Sequence, residues 1–185
     1  EGRAEVVATA VVPMGIYGCC STGIPARKRN ALRAACTTAV WGPGRSKRCP
    51  ELVSTMLTKG HRADPDMALT YQRFWQLRRW MLTDASVAPV VHRAWQLRPC
   101  LTNRKHPSSA QGPVGLLHRE ADSLGWDWDS SPWAFTRRDR EPVALAGGPH
   151  GAFAHAVREG IRHRALGAAI KRRPELMGAH DIDRR

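Results

Sequence analysis

The sequence feature that most constrains the fold is a helix signal between Asp64 and Leu82. Asp64-Pro65-Asp66 begins it: an aspartate at the N-cap accepts hydrogen bonds from backbone amides, and proline suits the first helical position because it has no amide hydrogen to place. Apolar side chains then recur every three or four residues, which is the spacing of one helix face. They are Met67, Tyr71, Phe74, Leu77 and Met81. We predict a long helix that buries this face.

Prolines and glycines divide the rest of the chain into shorter helical segments. The predicted helices run from Ile24 to Trp41, from Pro50 to Gly60, from Pro89 to Leu97, from Pro113 to Leu124, and from Pro149 onward. Within residues 126–146 apolar and polar residues alternate instead, which is typical of strands. We therefore predict a mainly α protein, a small helical bundle with one short β-hairpin near residues 126–146. The polar residues 98–111 are a predicted linker between a helical region, 1–97, and a helix–hairpin–helix region, 112–185.

The run of residues 6–26 contains no charged side chain and, at 21 residues, is long enough to cross a bilayer. Residues 27–29 are all basic, as the flank of a membrane span would be. Two prolines and three glycines interrupt the run, however, and it contains no leucine. We favour a core helix that ends at the Tyr17-Gly18 turn, and keep a membrane-tethered protein as an alternative.

Positive charge is the feature that most constrains the partner. The formal net charge is +13, and such a surplus is typical of proteins that bind polyanions such as nucleic acids. Arginines outnumber lysines 24 to 5, a bias that GC-rich codons would also produce. The charge is densest in residues 27–62 and 158–173, which we predict to contact phosphate groups. The candidate residues are Arg27, Lys28, Arg29, Arg33, Arg158, Arg162, Arg164, Lys171, Arg172 and Arg173.

No residue pattern predicts catalysis. A metal-dependent polymerase or nuclease needs paired carboxylates that hold metal ions about 4 Å apart. The Asp-x-Asp pairs at positions 64/66, 127/129 and 181/183 are the candidates, and the first already has a helix-capping role. Five cysteines without a CxxC motif match neither a zinc ribbon nor a disulfide framework, and predict free thiols in a reducing compartment. We therefore predict no catalytic residue, no metal ligand and no cofactor in this segment.

Several stretches together resemble one family of polymerases. The stretch VVPMGIYGCCSTGIPARKRNALRAACTTAVWG (11–42) resembles the segment after the catalytic palm in reverse transcriptases of LINE-type (non-LTR) retrotransposons, with Tyr17-Gly18, Leu32-Arg33 and Val40-Trp41-Gly42 at the matching places. GHRADP (60–65), GPVGLLHREADSLGWDW (112–128) and GGPHGAFAHAVREGIR (147–162) are similar to later landmarks of the same polyproteins. These stretches are spread between residues 11 and 162 of the 185-residue chain.

The resemblance implies a helical thumb and post-thumb region that grips an RNA and DNA template–primer. The parent would be an RNA-directed DNA polymerase that uses Mg²⁺, and the chain would be an excised piece that starts beyond the palm, against which residues 11–20 would pack. It implies an intracellular location, in the nucleus or cytoplasm, with no membrane contact. The alternatives are a stand-alone basic helical module that binds RNA or DNA and a protein tethered to a membrane through residues 6–26.

Overall fold

Helices make up most of the described chain, as the sequence predicts. The computed structural model describes residues 2–43, 49–56, 60–97, 112–139 and 141–175. Two short strands, β1 (Ala134–Thr136) and β2 (Pro142–Ala144), pair antiparallel. The prediction of a mainly α bundle with one β-hairpin near residues 126–146 is confirmed. The helices are α1 (Gly2–Val6), α2 (Val12–Gly15), α3 (Ala26–Trp41), α4 (Pro50–Met56), α5 (Gly60–Ala63), α6 (Pro65–Thr83), α7 (Val87–Gln96), α8 (Gly112–Leu124) and α9 (His150–Arg172).

Helix α6 lies at the centre of the fold. Its N-terminus forms as predicted, because the Asp64 carboxylate accepts hydrogen bonds from the backbone amides of Asp66 (2.8 Å) and Met67 (3.3 Å). The helix contributes to two separate hydrophobic cores, the larger through Phe74 and the smaller through Leu69. Since α6 is shared by both cores, α3, α5, α7, α8 and α9 all contact it.

Aromatic rings fill the larger core, between α6, α7, α8, the hairpin and α9. Phe74 packs edge-on against Trp126 (5.4 Å between ring centroids) and Phe135 (5.2 Å). A Cβ at Gly160 would lie 2.9 Å from the Trp126 ring, so a glycine is needed for α9 to approach it. Helices α7 and α8 contact each other in this core. The predicted linker between them, residues 98–111, lies outside the described residues.

The hairpin follows the predicted alternation. Phe135 pairs with Val143 in the β1–β2 register, and both side chains point into the larger core. Before β1, Trp126 and Trp128 are buried while Asp127, between them, is exposed and bridges to Thr136. The period-two pattern therefore places Trp126, Trp128, Phe135, Val143 and Leu145 inward. Trp133, which the same alternation predicts to face inward with Phe135, is instead 38% exposed.

The N-terminal helix, defined here as α1, a π-helical turn (Val7–Val11) and α2, has apolar side chains on two sides. Its inward side packs in the smaller core with Val7, Ala8, Val12 and Ile16. Its outward side exposes Val6, Val11, Met14 and, in the turn that follows, Tyr17. The chain turns where predicted, with Gly18 at a φ of 74°. Among the described residues, no helix has both the length and the apolar character needed to cross a membrane.

The segment after α4 differs from the prediction. Gly60 does not end the helix that starts at Pro50; it begins α5, while α4 ends at Met56. A Cβ at Gly60 would overlap the carbonyl oxygen of Ser54. The glycine is therefore needed for the close approach of α5 to α4, not for a helix end. Residues 57–59 lie outside the described residues.

Candidate nucleic-acid interface

The two basic segments predicted from the sequence meet at a shared carboxylate. Arg29 of α3 reaches Asp66 with its Nε 3.3 Å from Oδ1. Arg164 of α9 reaches the other oxygen of the same side chain, with its Nη2 3.6 Å from Oδ2. Asp66, in the first turn of α6, therefore lies between the basic edges of α3 and α9.

A second carboxylate joins the same two helices. The Glu51 side chain is buried and accepts a hydrogen bond from Arg33 on one oxygen and from Arg172 on the other, each at 3.0 Å. The Cys49 thiol donates to it as well, at 3.3 Å. Burial alone would raise the pKa of Glu51, but a backbone hydrogen bond, Arg33, the Cys49 thiol and Arg172 together outweigh burial and hold the pKa below its ordinary value. Glu51 is therefore ionised at neutral pH and binds both arginines as a carboxylate.

Arg33 is held on its other side by the helix cap of α6. Its Nε donates to the Asp64 carboxylate at 2.7 Å, and Ser54 donates to the same oxygen at 3.2 Å. Burial would lower the pKa of Arg33, yet the carboxylates around it, with Asp64 foremost, raise it. The charged guanidinium of Arg33 thus binds the carboxylates of Glu51 and Asp64, and it joins α3 to α4 and to the start of α6.

Arg164 occupies a similar position nearer the middle of α9. Besides Asp66, its Nη1 donates to Glu120 (3.0 Å) and its Nη2 to Thr70 (2.8 Å). Glu120 also accepts from Arg73 and Thr70. These bonds tie α9 to α6 and α8, and they fix the guanidinium of Arg164 in one orientation.

The other candidate residues lie at the surface. Arg27 and Lys28 are exposed in the first turn of α3, and Arg158, Arg162 and Lys171 are exposed on α9. Among the candidates with internal partners, the side chains of Arg29 and Arg172 remain 35% and 59% exposed. Arg173 is half-buried just beyond α9. The exposed residues are the ones that can contact the backbone of a long nucleic acid, since the side chains of Arg33 and Arg164 are only 19% and 21% exposed.

The pKa of His61 is sensitive to the positive charges beside α9. Burial lowers the pKa of His61 first, and the nearby charges of Arg62 and Arg158 lower it further. Since both arginines act on the same ring, Arg62 of α5 and Arg158 of α9 lie close enough to His61 to give its surroundings a positive potential. An anion bound there would raise the pKa of His61.

Two arginines of this region were not among the predicted site residues. Arg73 lies on α6 and is 6% exposed, and Arg119 lies exposed on α8. Arg73 follows the buried Thr70 by three residues and precedes the buried Leu77 by four, so helical spacing alone indicates that it faces inward. The spacing does not predict that Arg73 binds the acidic residue Glu120.

The Asp-x-Asp pairs have local structural roles where the structure describes them. Asp64 caps α6, and Asp127 accepts a hydrogen bond from the amide of Asp129 at 2.6 Å, which closes a turn. Positions 181 and 183 lie outside the described residues. Within the ranges described above, no three His, Cys, Asp or Glu side chains are grouped closely enough to hold a metal ion. Cys19, Cys20, Cys36 and Cys49 are free thiols.

Comparison with protein-family models, with curated protein sequences and with solved structures found no match.

Proposed function

We propose that this chain is a nucleic-acid-binding, non-catalytic part of a retroelement RNA-directed DNA polymerase, which grips the RNA and DNA template–primer beyond the palm. The observation that carries the proposal is the convergence of α3 and α9. Their basic edges, which are more than a hundred residues apart in sequence, are bridged at Asp66 and at Glu51. The exposed basic side chains of α3 and α9 therefore lie beside arginines whose orientation is fixed by Asp66 and Glu51.

Such a surface is suited to phosphates rather than bases. Arginines and lysines on helix surfaces contact the nucleic-acid backbone, which gives affinity and position but no sequence preference. Arg29 and Arg172 are held by Asp66 and Glu51 yet remain 35% and 59% exposed, so their guanidinium groups lose little conformational entropy on binding. The proposal extends to the outward side of the N-terminal helix, where the exposed Met14 and Tyr17 would pack on the palm.

The salt dependence of duplex binding tests the proposal. Each phosphate contact contributes about −0.9 to the slope of log affinity against log salt concentration. The double variant R158Q/R162Q should make the slope shallower by about 1.8 for an RNA–DNA duplex, equally for different sequences. Both residues are exposed on α9, so circular dichroism should show the helices intact.

The matched control is R79Q/R93Q, which removes the same charge from exposed positions on α6 and α7. It should lower the affinity only slightly and leave the slope unchanged. A slope that stays the same in folded R158Q/R162Q, or that changes equally in both double variants, would contradict the proposed interface.

A stand-alone basic helical module that binds RNA or DNA is the second candidate. It is favoured by the two hydrophobic cores that the described residues form among themselves. The upstream reading frame separates the candidates, because an Asp-Asp palm motif before Glu1 supports the polymerase and a start codon at that point supports the module.

A further inference from the structure

A cavity of about 670 Å³ opens between the start of α3, α6, α8 and α9. Four arginines line it: Arg29, Arg73, Arg119 and Arg164. Asp66 and Glu120 are the two acidic residues of the lining. Four positive charges against two negative charges leave a surplus of two, which matches the charge of a phosphate monoester near neutral pH.

The backbone of the cavity wall adds hydrogen-bond donors. Pro25 and Ala26, the N-cap and first residue of the 16-residue helix α3, both line the cavity. The cap supplies no side-chain acceptor to the first-turn amides. Free amides at a helix N-terminus, together with the positive end of the helix dipole, favour an anion at this position.

Arg73 provides an independent indication of a ligand. Its guanidinium is buried in the wall, where it binds Glu120 and the carbonyl oxygen of Cys19, yet its Nε has no hydrogen-bond partner. A buried N–H without a partner costs about 1–3 kcal/mol. Such an unsatisfied donor in a cationic wall is consistent with an acceptor that occupies the cavity.

Apart from Ser123, the remaining lining is apolar. Ile24, Pro25 and Leu116 form part of the cavity surface. The volume lies within the range of about 300–1,000 Å³ in which proteins bind small organic ligands. A free phosphate ion would fill only a small part of it.

From the cavity, its charge surplus and its apolar side, we infer that the chain binds a phosphate monoester between α3, α6, α8 and α9. The phosphate faces the arginines and the α3 amides, and the organic group lies against Ile24 and Leu116. This site goes beyond the proposed duplex interface, because its ligand is an end group or a small molecule rather than the phosphodiester backbone. The source is either the 5′-phosphate of a nucleic acid or a free phosphorylated metabolite.

Isothermal titration calorimetry with a nucleoside 5′-monophosphate tests the site. The wild-type protein should bind the monophosphate, and the same nucleoside without phosphate should not bind. R119Q should weaken binding about tenfold, as expected for the loss of one charge-assisted hydrogen bond. R119E should abolish binding, because it removes the charge surplus. R93Q, which removes an exposed arginine remote from the cavity lining, is the control and should bind normally.

Competition identifies the source. Displacement of the nucleotide by a short 5′-phosphorylated oligonucleotide, but not by its 5′-hydroxyl form, assigns the site to nucleic-acid ends. If neither oligonucleotide displaces the nucleotide, the site is assigned to a free phosphate monoester. Absence of nucleotide binding, or equal binding by the wild type and R119E, overturns the inference. Because duplex binding is measured separately through its salt slope, failure of this site is distinguishable from failure of the proposed function.

Discussion

Arg78 is an arginine of this chain whose role is structural, within the core, rather than in nucleic-acid binding. It is 1% exposed and donates to the carbonyl oxygens of Ala144 (2.7 Å), Leu145 (3.0 Å) and Gly148 (2.7 Å). Its guanidinium also lies over the Phe153 ring, 4.6 Å from the centroid. Burial lowers the pKa of Arg78. The side chain joins α6 to the end of the hairpin and the start of α9.

We expect R78M to reduce the free energy of unfolding by about 3 kcal/mol, because three carbonyl oxygens lose a charged donor in a buried place. Urea unfolding followed by circular dichroism measures the change. R79M, at the exposed neighbouring position, is the matched control and should change stability by less than about 0.5 kcal/mol. Equal effects of the two substitutions would show that the carbonyl contacts contribute nothing.

Which arginines are internal could be predicted only in part. Arg78 comes four residues after one buried residue and three residues before another, Phe74 and Met81, so its burial follows from helical spacing. The internal roles of Arg33 and Arg164 do not follow, because their acidic partners come from other helices. A sequence pattern shows which way a side chain points within an element, but not which charge it meets there.

The N-terminal helix contains a structural feature that the sequence pattern did not predict. The helix starts at Pro50 and Pro65 and the apolar face of α6 were predictable because they depend on neighbours within a few residues. The helix predicted to begin at Pro89 starts two residues earlier, at Val87. The π-helical turn was not predicted. It ends two residues before Pro13, which cannot donate a hydrogen bond and whose ring crowds the carbonyl oxygen of Thr9, four residues earlier and within the turn. A widened turn relieves this crowding.

The two sides of the N-terminal helix should respond differently to substitution. I16A should reduce the free energy of unfolding by about 3 kcal/mol, since Ile16 is fully buried in the smaller core. M14Q should change it by less than about 0.5 kcal/mol, because Met14 is 79% exposed. Thermal unfolding of both variants measures this difference. Comparable losses would mean that the outward side belongs to the core, and that it does not serve as a surface for the palm.

Over the whole molecule, carboxylates connect segments that are distant in sequence. Glu51 joins α4 to α3 and α9, and Asp66 joins α6 to the same two helices. Contacts of this kind depend on the completed fold, so the sequence could indicate the basic segments but not their convergence. Glu51 and the half-buried His61 make stability depend on pH, in two separate ranges.

His61 and Glu51 act in these two ranges. The pKa of His61 is lowered in the folded protein, so the unfolded chain takes up its proton first and stability falls as the pH drops below 6.5. The pKa of Glu51 is also lowered, so its contribution is complete above the unfolded value of 4.5 and is lost as the pH falls through the folded value.

The variant E51Q isolates the acidic range. At neutral pH it should unfold with a free energy about 3 kcal/mol below that of the wild type, because Arg33 loses a buried ionic partner. Below pH 4.5 the two curves should converge, since Glu51 becomes neutral in the wild type as well. Urea unfolding across a pH series measures the free energy of unfolding of both proteins. The contribution of His61 cancels in the difference between them, because both proteins retain this residue. E141Q, at an exposed position, is the control and should follow the wild type closely. A constant difference between wild type and E51Q down to acid pH would show that Glu51 contributes through packing rather than charge.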